Sequence, residues 1–102
     1  MSEDQVTTTT DVQREDDGGE RGRYVVYLSD GIEAELTYAR RDGRLIADHT
    51  FVPPSHRGQG IAERLVDALI ADARSSGDKI VPVCSYVAVQ FRRHPEWADL
   101  KA

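Results

Sequence analysis

"FVPPSHRGQGIAERLV", residues 51–66, changes character three times. Phe51 and Val52 end an apolar run, and Pro53 and Pro54 break it. Arg57-Gly58-Gln59-Gly60 makes a basic, glycine-spaced turn, and Ile61 opens a run with apolar residues at helical spacing. A strand, a turn and a helix in that order leave the first N–H groups of the helix without intrahelical acceptors. Their aligned dipoles favour an anion. Gly58 and Gly60 carry no Cβ, so a ligand can approach the backbone closely. Arg57 adds a forked donor set that suits phosphate. Two familiar nucleotide motifs are excluded. No Lys and no Ser or Thr follows the glycines as a P-loop requires, and Glu63 stands where the third glycine of a dinucleotide fingerprint belongs.

Downstream, Ile61, Leu65 and Leu69 with Ala62, Val66 and Ala73 form an apolar stripe, and Gly77 after two serines stops the helix. "KIVPVC" (79–84) predicts a strand that, after a helical crossover, lies parallel to the one before the loop. Pro82 has no N–H for a ladder, so this strand lies at an edge or parts from its neighbour near Pro82. A second helix follows from "YVAVQFRRH", with Ser85 as N-cap, and Pro95 ends it. Upstream, "RYVVYLS", "IEAELTYAR" and "LIADHTFV" read as three strands joined at Asp30-Gly31 and Asp42-Gly43. Alternation places Ile32, Ala34, Leu36 and Tyr38 on one face of the second. In the third, His49 and Phe51 lie on one face, Asp48, Thr50 and Val52 on the other. The expected fold is thus α/β (α+β), βββαβα in order, with a mixed sheet. An antiparallel meander leads into a parallel pair.

Charge is unevenly placed along the 102 residues. Residues 1–22 hold seven acids and two bases, whereas residues 23–102 hold eleven of each. The first segment is expected to be a disordered acidic tail, because its few apolar groups cannot offset ordering entropy. The domain is expected over 23–102. Its neutral balance argues against nonspecific nucleic-acid binding. No run is apolar and long enough for a membrane helix. The first residues lack the look of a signal or transit peptide, which makes the cytoplasm the expected compartment. The single cysteine, Cys84, and His49, His56 and His94 do not show metal-ligand spacing, so no metal is expected.

Arg57, Gly60 and Ala62 fill an R-x-x-G-x-A pattern. The segment resembles the pyrophosphate loop of the GNAT superfamily of N-acetyltransferases. Together with "VPVCSYVAVQFRRHPEW" (81–97), it resembles the short single-domain branch of that superfamily. The resemblance covers about residues 23–97. It implies a cleft between two strands that splay apart, into which the pantetheine arm of acetyl-CoA inserts. Phe51 and Val52 would then bond the acetyl and pantetheine groups through their backbone. Arg57, Gly58, Gln59, Gly60, Ile61 and Ala62 would hold the pyrophosphate, with Tyr86 against the pantetheine. The implied function is acetyl-CoA-dependent transfer to an amine, a protein or peptide amine included, since the short branch lacks the helices that cover the acceptor side. The alternative is a CoA-binding module with little activity.

Acetyl transfer needs a proton acceptor for the ammonium and a manager for the leaving thiolate. The Tyr that the family pattern puts in the last helix is Arg92 here. Arg92 cannot act as an acid, but it can stabilise a thiolate or hold a CoA phosphate. Cys84, before a helix N-terminus, is placed where a thiol is activated, and the resemblance puts it beside the thioester as nucleophile or wall. His49 is the candidate base, with Asp48 or Glu35 acting through water as alternatives.

Overall fold

The computed structural model describes residues 12–102. Asp42 and Gly43 adopt positive φ of 53° and 74°, the mirror-image turn whose twist matches that of the strands it joins. It connects β3 (Glu33–Arg41) to β4 (Arg44–Phe51). The other Asp-Gly step forms a wider turn. A 3-10 turn over Ser29–Gly31 joins β2 (Arg21–Tyr27) to β3, closed by the Leu28 N–H donating to the Ile32 carbonyl at 2.8 Å.

A further strand precedes these. β1 (Gln13–Asp16) pairs antiparallel with β2, from Gln13 opposite Val25 to Asp16 opposite Gly22. The expectation of a disordered segment over 1–22 is therefore corrected for residues 13–22; residues 1–11 lie outside the described residues. Gln-Arg-Glu-Asp carries no apolar alternation, which is why the pattern gives no strand signal there. The strand is held by its ladder and by partners distant in sequence. Arg14 donates to Asp72 at 3.0 Å, and Glu15 accepts from Arg23 at 3.0 Å.

The loop of residues 51–66 leads into α1 (Ile61–Ser76), capped at its end by Gly77 with φ 81°. β5 (Lys79–Pro82) then runs parallel to β4, and α2 (Ser85–Arg93) follows. A 3-10 segment, Pro95–Leu100, closes the chain. The N-cap of α2 is Cys84 rather than Ser85, and no side chain caps that end. The sheet is five-stranded and ordered β1-β2-β3-β4-β5, mixed as expected but with one strand more in the meander.

The core lies between α1, α2 and one face of the sheet. Tyr24, Val26, Ala34, Leu36, Leu45 and Ala47 meet Leu65, Val66, Leu69 and Val87 there. The stripe read from α1 is the buried one, with Ile70 added and Ala62 only half-buried. Among the described residues no helix lies on the opposite face. On it Arg23 donates to Glu15, Glu33 and Glu35, tying the first three strands together.

Two irregularities in β4 position the site. First, the parallel ladder with β5 runs only from Arg44–Lys79 to Ala47–Pro82. Pro82 has no N–H to continue it. The Val83 N–H turns back to the Val81 carbonyl at 3.0 Å, and the Cys84 N–H donates to Ala47 at 2.8 Å. Pro82 thus sits both on the outermost strand and at the point of parting. Second, Thr37 pairs with His49 but Tyr38 pairs with Ala47, so Asp48 is an extra residue in β4, a bulge. Its carboxylate accepts from the Thr37 hydroxyl at 2.5 Å and from Arg21 at 3.1 Å. Asp48 therefore lies on the face of His49, not on that of Thr50 as strict alternation predicts. His49 and Phe51 remain opposite to Thr50, which pairs with the core residue Leu36.

Asp72 of α1 binds the helix to three strands. It accepts from the Tyr24 hydroxyl at 2.7 Å and from Arg14, and Arg40 lies 4.0 Å away, its Nε 3.2 Å from Asp78. Burial pushes the Asp72 carboxyl up, but the bonds from Tyr24 and Arg14 outweigh it and hold it below the usual value. A depressed carboxyl contributes stability that is present at neutral pH and lost as pH falls through its folded value. Asp72→Ala is expected to lower the unfolding free energy by about 1–3 kcal/mol, because it leaves the buried Tyr24 hydroxyl without its acceptor and removes the Arg14 partner. Melting monitored by circular dichroism checks this, and the loss of stability on acidification is expected to be shallower in the variant than in the parent.

Candidate active site

The loop between β4 and α1 takes its shape from its prolines and glycines. Pro53 is buried and precedes the 3-10 turn Pro54–His56, with Arg57 extended after it. Gly58 and Gly60 have φ of 80° and 78°, a region that an L-residue enters only with strain. Gly60 is the N-cap of α1 and supplies no side-chain cap. The first helical bond is Arg64 N–H to the Gly60 carbonyl at 3.2 Å, so the N–H groups of Ile61, Ala62 and Glu63 have no acceptor within the helix. A Cβ built on Gly58 meets nothing within 4 Å. The space beside that backbone is open to a ligand.

Two adjoining cavities follow from this arrangement. One, about 270 Å³, is lined by the loop and helix start, including His56, Arg57, Gly58, Gly60 and Ala62. The other, about 260 Å³, lies at the end of β4 against Thr50, Phe51 and Val52. Val52, Arg57, Ala62 and Tyr86 line both, so the two form one channel.

Within it, Arg57 folds back and donates from Nε to the Val52 carbonyl at 3.0 Å, leaving its two terminal nitrogens for an anion. Tyr86 stands in the first turn of α2. Burial first, then the carboxylates of Glu63 and Asp67, push its phenol above the usual value, so it is a neutral hydrogen-bond donor. Glu63 puts a carboxylate at the mouth of an otherwise cationic pocket, its Oε1 3.4 Å from where a Gly60 Cβ would sit. Cys84, the half-buried N-cap of α2, lines neither cavity but directs its sulfur to the Thr50 hydroxyl at 3.4 Å.

Of the residues singled out from sequence, Phe51, Val52, Arg57, Gly58, Gly60, Ile61, Ala62 and Tyr86 are brought together along the channel. Gln59 is exposed and lines neither cavity. Arg92 lies exposed in the last turn of α2, eight residues or about 12 Å of helical rise from Cys84. It is therefore no neighbour of the sulfur. His49 is exposed on the helix-free face, across the strand from Thr50. Of the alternative bases, Glu35 is engaged by Arg23. Burial raises the Asp48 carboxyl, but Thr37 and Arg21 more than offset this and hold it below the usual value, which makes it a weak base. Thr50 was not singled out, although its place beside Val52 in the alternation was available as a signal. Among the described residues no group of three or more His, Cys, Asp or Glu is arranged to hold a metal, and no helix is long and apolar enough to cross a membrane.

A glycine-shaped loop thus opens a helix, a parallel strand pair parts, and a channel joins the two. A family model for GCN5-related N-acetyl-transferases matches residues 23–100, and the chain belongs to that family.

The left-handed conformation at Gly60 carries a measurable cost for any other residue. Gly60→Ala is expected to destabilise the domain by about 1–2 kcal/mol through backbone strain alone. Thermal melting checks it, with an expected fall of about 5–10 °C in Tm for a domain of this size; an unchanged Tm would show that the loop relaxes to another shape.

Proposed function

We propose that this domain transfers an acetyl group from acetyl-CoA to an amine, with the cofactor's pyrophosphate on the Arg57–Ala62 loop and its pantetheine arm between the parted ends of β4 and β5. The observation that carries this reading is the single channel running from the Gly58 and Gly60 backbone to the unpaired end of β4. The uncapped N–H groups of α1 and the free nitrogens of Arg57 neutralise the diphosphate. The edge of β4 beyond Ala47 offers backbone groups to the amides of the arm. Family membership supports the reaction class.

In this arrangement the thioester reaches the level of Thr50 and Cys84. Cys84 is the nucleophile: its sulfur bonds the acetyl carbon as the bond to the CoA sulfur breaks, and the proton given up by one thiol is taken by the other. The acceptor amine enters from the helix-free face through the gap between the strands. There the exposed imidazole of His49 takes the proton that the ammonium must lose before attack. Direct transfer from acetyl-CoA uses the same channel and the same base. A protein or peptide amine fits an acceptor side that no helix covers. The placement of Arg92, where the family pattern carries a Tyr acid, favours a second reading, a CoA-binding module of low activity.

Calorimetric titration with acetyl-CoA, followed by intact mass, separates these readings. The parent chain is expected to bind and to gain about 42 Da on Cys84, an addition lost in Cys84→Ala. Binding without the added mass leaves direct transfer or the module, which amine-dependent CoA release distinguishes. A β-branched side chain at the loop provides the control. Gly60→Val is expected to reduce acetyl-CoA affinity at least about 30-fold, the loss of a few kcal/mol of pyrophosphate contacts, with its far-ultraviolet spectrum retained. Unchanged affinity would make the loop only a turn.

A further inference from the structure

We infer that Thr50 is a positioning residue for the Cys84 sulfur, and that its hydroxyl stabilises the thiolate form on which acyl exchange depends. The inference rests on the reaction proposed above and adds a residue to it. Three observations carry it. The Cys84 sulfur points at Thr50 Oγ1, 3.4 Å away, across the space where β4 and β5 no longer pair. Thr50 lines the strand-end cavity that would receive the thioester. The orientation is built in, because the bulge at Asp48 is what turns Thr50 to this side. Leu45 and Ala47 face the core, so without the extra residue strict alternation would send His49 toward the sulfur and Thr50 away.

The chemistry follows from what a hydroxyl can do. In the thiol form Cys84 donates and Thr50 accepts. When the sulfur is ionised the hydroxyl rotates, and its O–H donates to the anion. The same bond holds the sulfur at one rotamer, against Thr50, which itself lines the cavity. During exchange the Sγ–acetyl bond forms, the CoA sulfur leaves with its electron pair, and the proton displaced from Cys84 ends on that sulfur. Thr50 gains and loses no bond; it holds the attacking atom and disperses its charge. In this structure no cap bond joins the Cys84 side chain to the first N–H groups of α2, and Arg92 lies two turns away.

The chain has one cysteine, so alkylation reports on Cys84 alone. The experiment measures the second-order rate of iodoacetamide labelling of the full chain at one neutral pH, by intact mass, for the parent, Thr50→Val and Thr50→Ser. Thr50→Val keeps the shape and removes the donor. It is expected to label about tenfold more slowly, the worth of one hydrogen bond to a charged group, while Thr50→Ser stays within about twofold of the parent. Circular dichroism establishes that each variant is folded. An equal or faster rate in Thr50→Val overturns the inference, and so does an equal loss in both variants, which would make the methyl group, not the hydroxyl, the important part. Labelling involves no CoA. Failure to bind acetyl-CoA would therefore sink the proposed reaction while leaving this result standing, and the reverse also holds.

Discussion

The parallel ladder between β4 and β5 ends at Ala47 and Pro82, and the site depends on that ending. A proline cannot donate the next ladder bond. The chain beyond it bends away, giving its next free N–H, from Cys84, to Ala47. β4 continues for four residues without a partner on that side. An unpaired strand edge inside a domain is normally costly, because its backbone groups lose water without gaining partners. Here the edge faces an open channel, where water or a ligand amide can satisfy it. The defect in the sheet and the opening beside the end of β4 are the same feature.

The rest of the fold supplies the walls of that gap. α1 is anchored on the sheet by the apolar stripe Leu65, Val66 and Leu69, and by Asp72, which gathers Tyr24 and Arg14 from two strands. Its N-terminus is thereby held at the mouth of the channel. α2 starts at Cys84 and buries Val87 and Phe91, so its first turn carries Tyr86 to the opposite wall. A small domain has little core to spare. Placing the two helix N-termini against the sheet by buried contacts is what keeps the loop and the sulfur in a constant relation.

Much of this was legible from local chemistry. Glycine at 58 and 60 signalled a turn with left-handed positions, and both residues adopt them. Pro82 signalled a broken ladder, and the spacing of Leu65 and Leu69 signalled which side of α1 is buried. The first strand was not legible. Gln13–Asp16 has no apolar rhythm, and its stability comes from Asp72 and Arg23, partners that no local pattern reveals. The same holds for the N-cap of α2, assigned to Ser85 on propensity although the chain enters the helix one residue earlier, where Ala47 fixes the backbone.

By itself, then, the sequence determined the order of elements after the first strand, the glycine-shaped turn of the 57–62 loop and the interruption at Pro82. Each follows from backbone properties of single residues: positive φ for glycine, no donor for proline, helical period for the stripe. Only the tertiary structure decided which side chains share the channel. Asp48 is a bulge whose carboxylate is bonded by Thr37 of β3 and Arg21 of β2. That one inserted residue reverses the side on which every later residue of β4 lies, so that Thr50 faces Cys84 and His49 faces outward. A register shift is a property of paired strands, and no strand carries it alone.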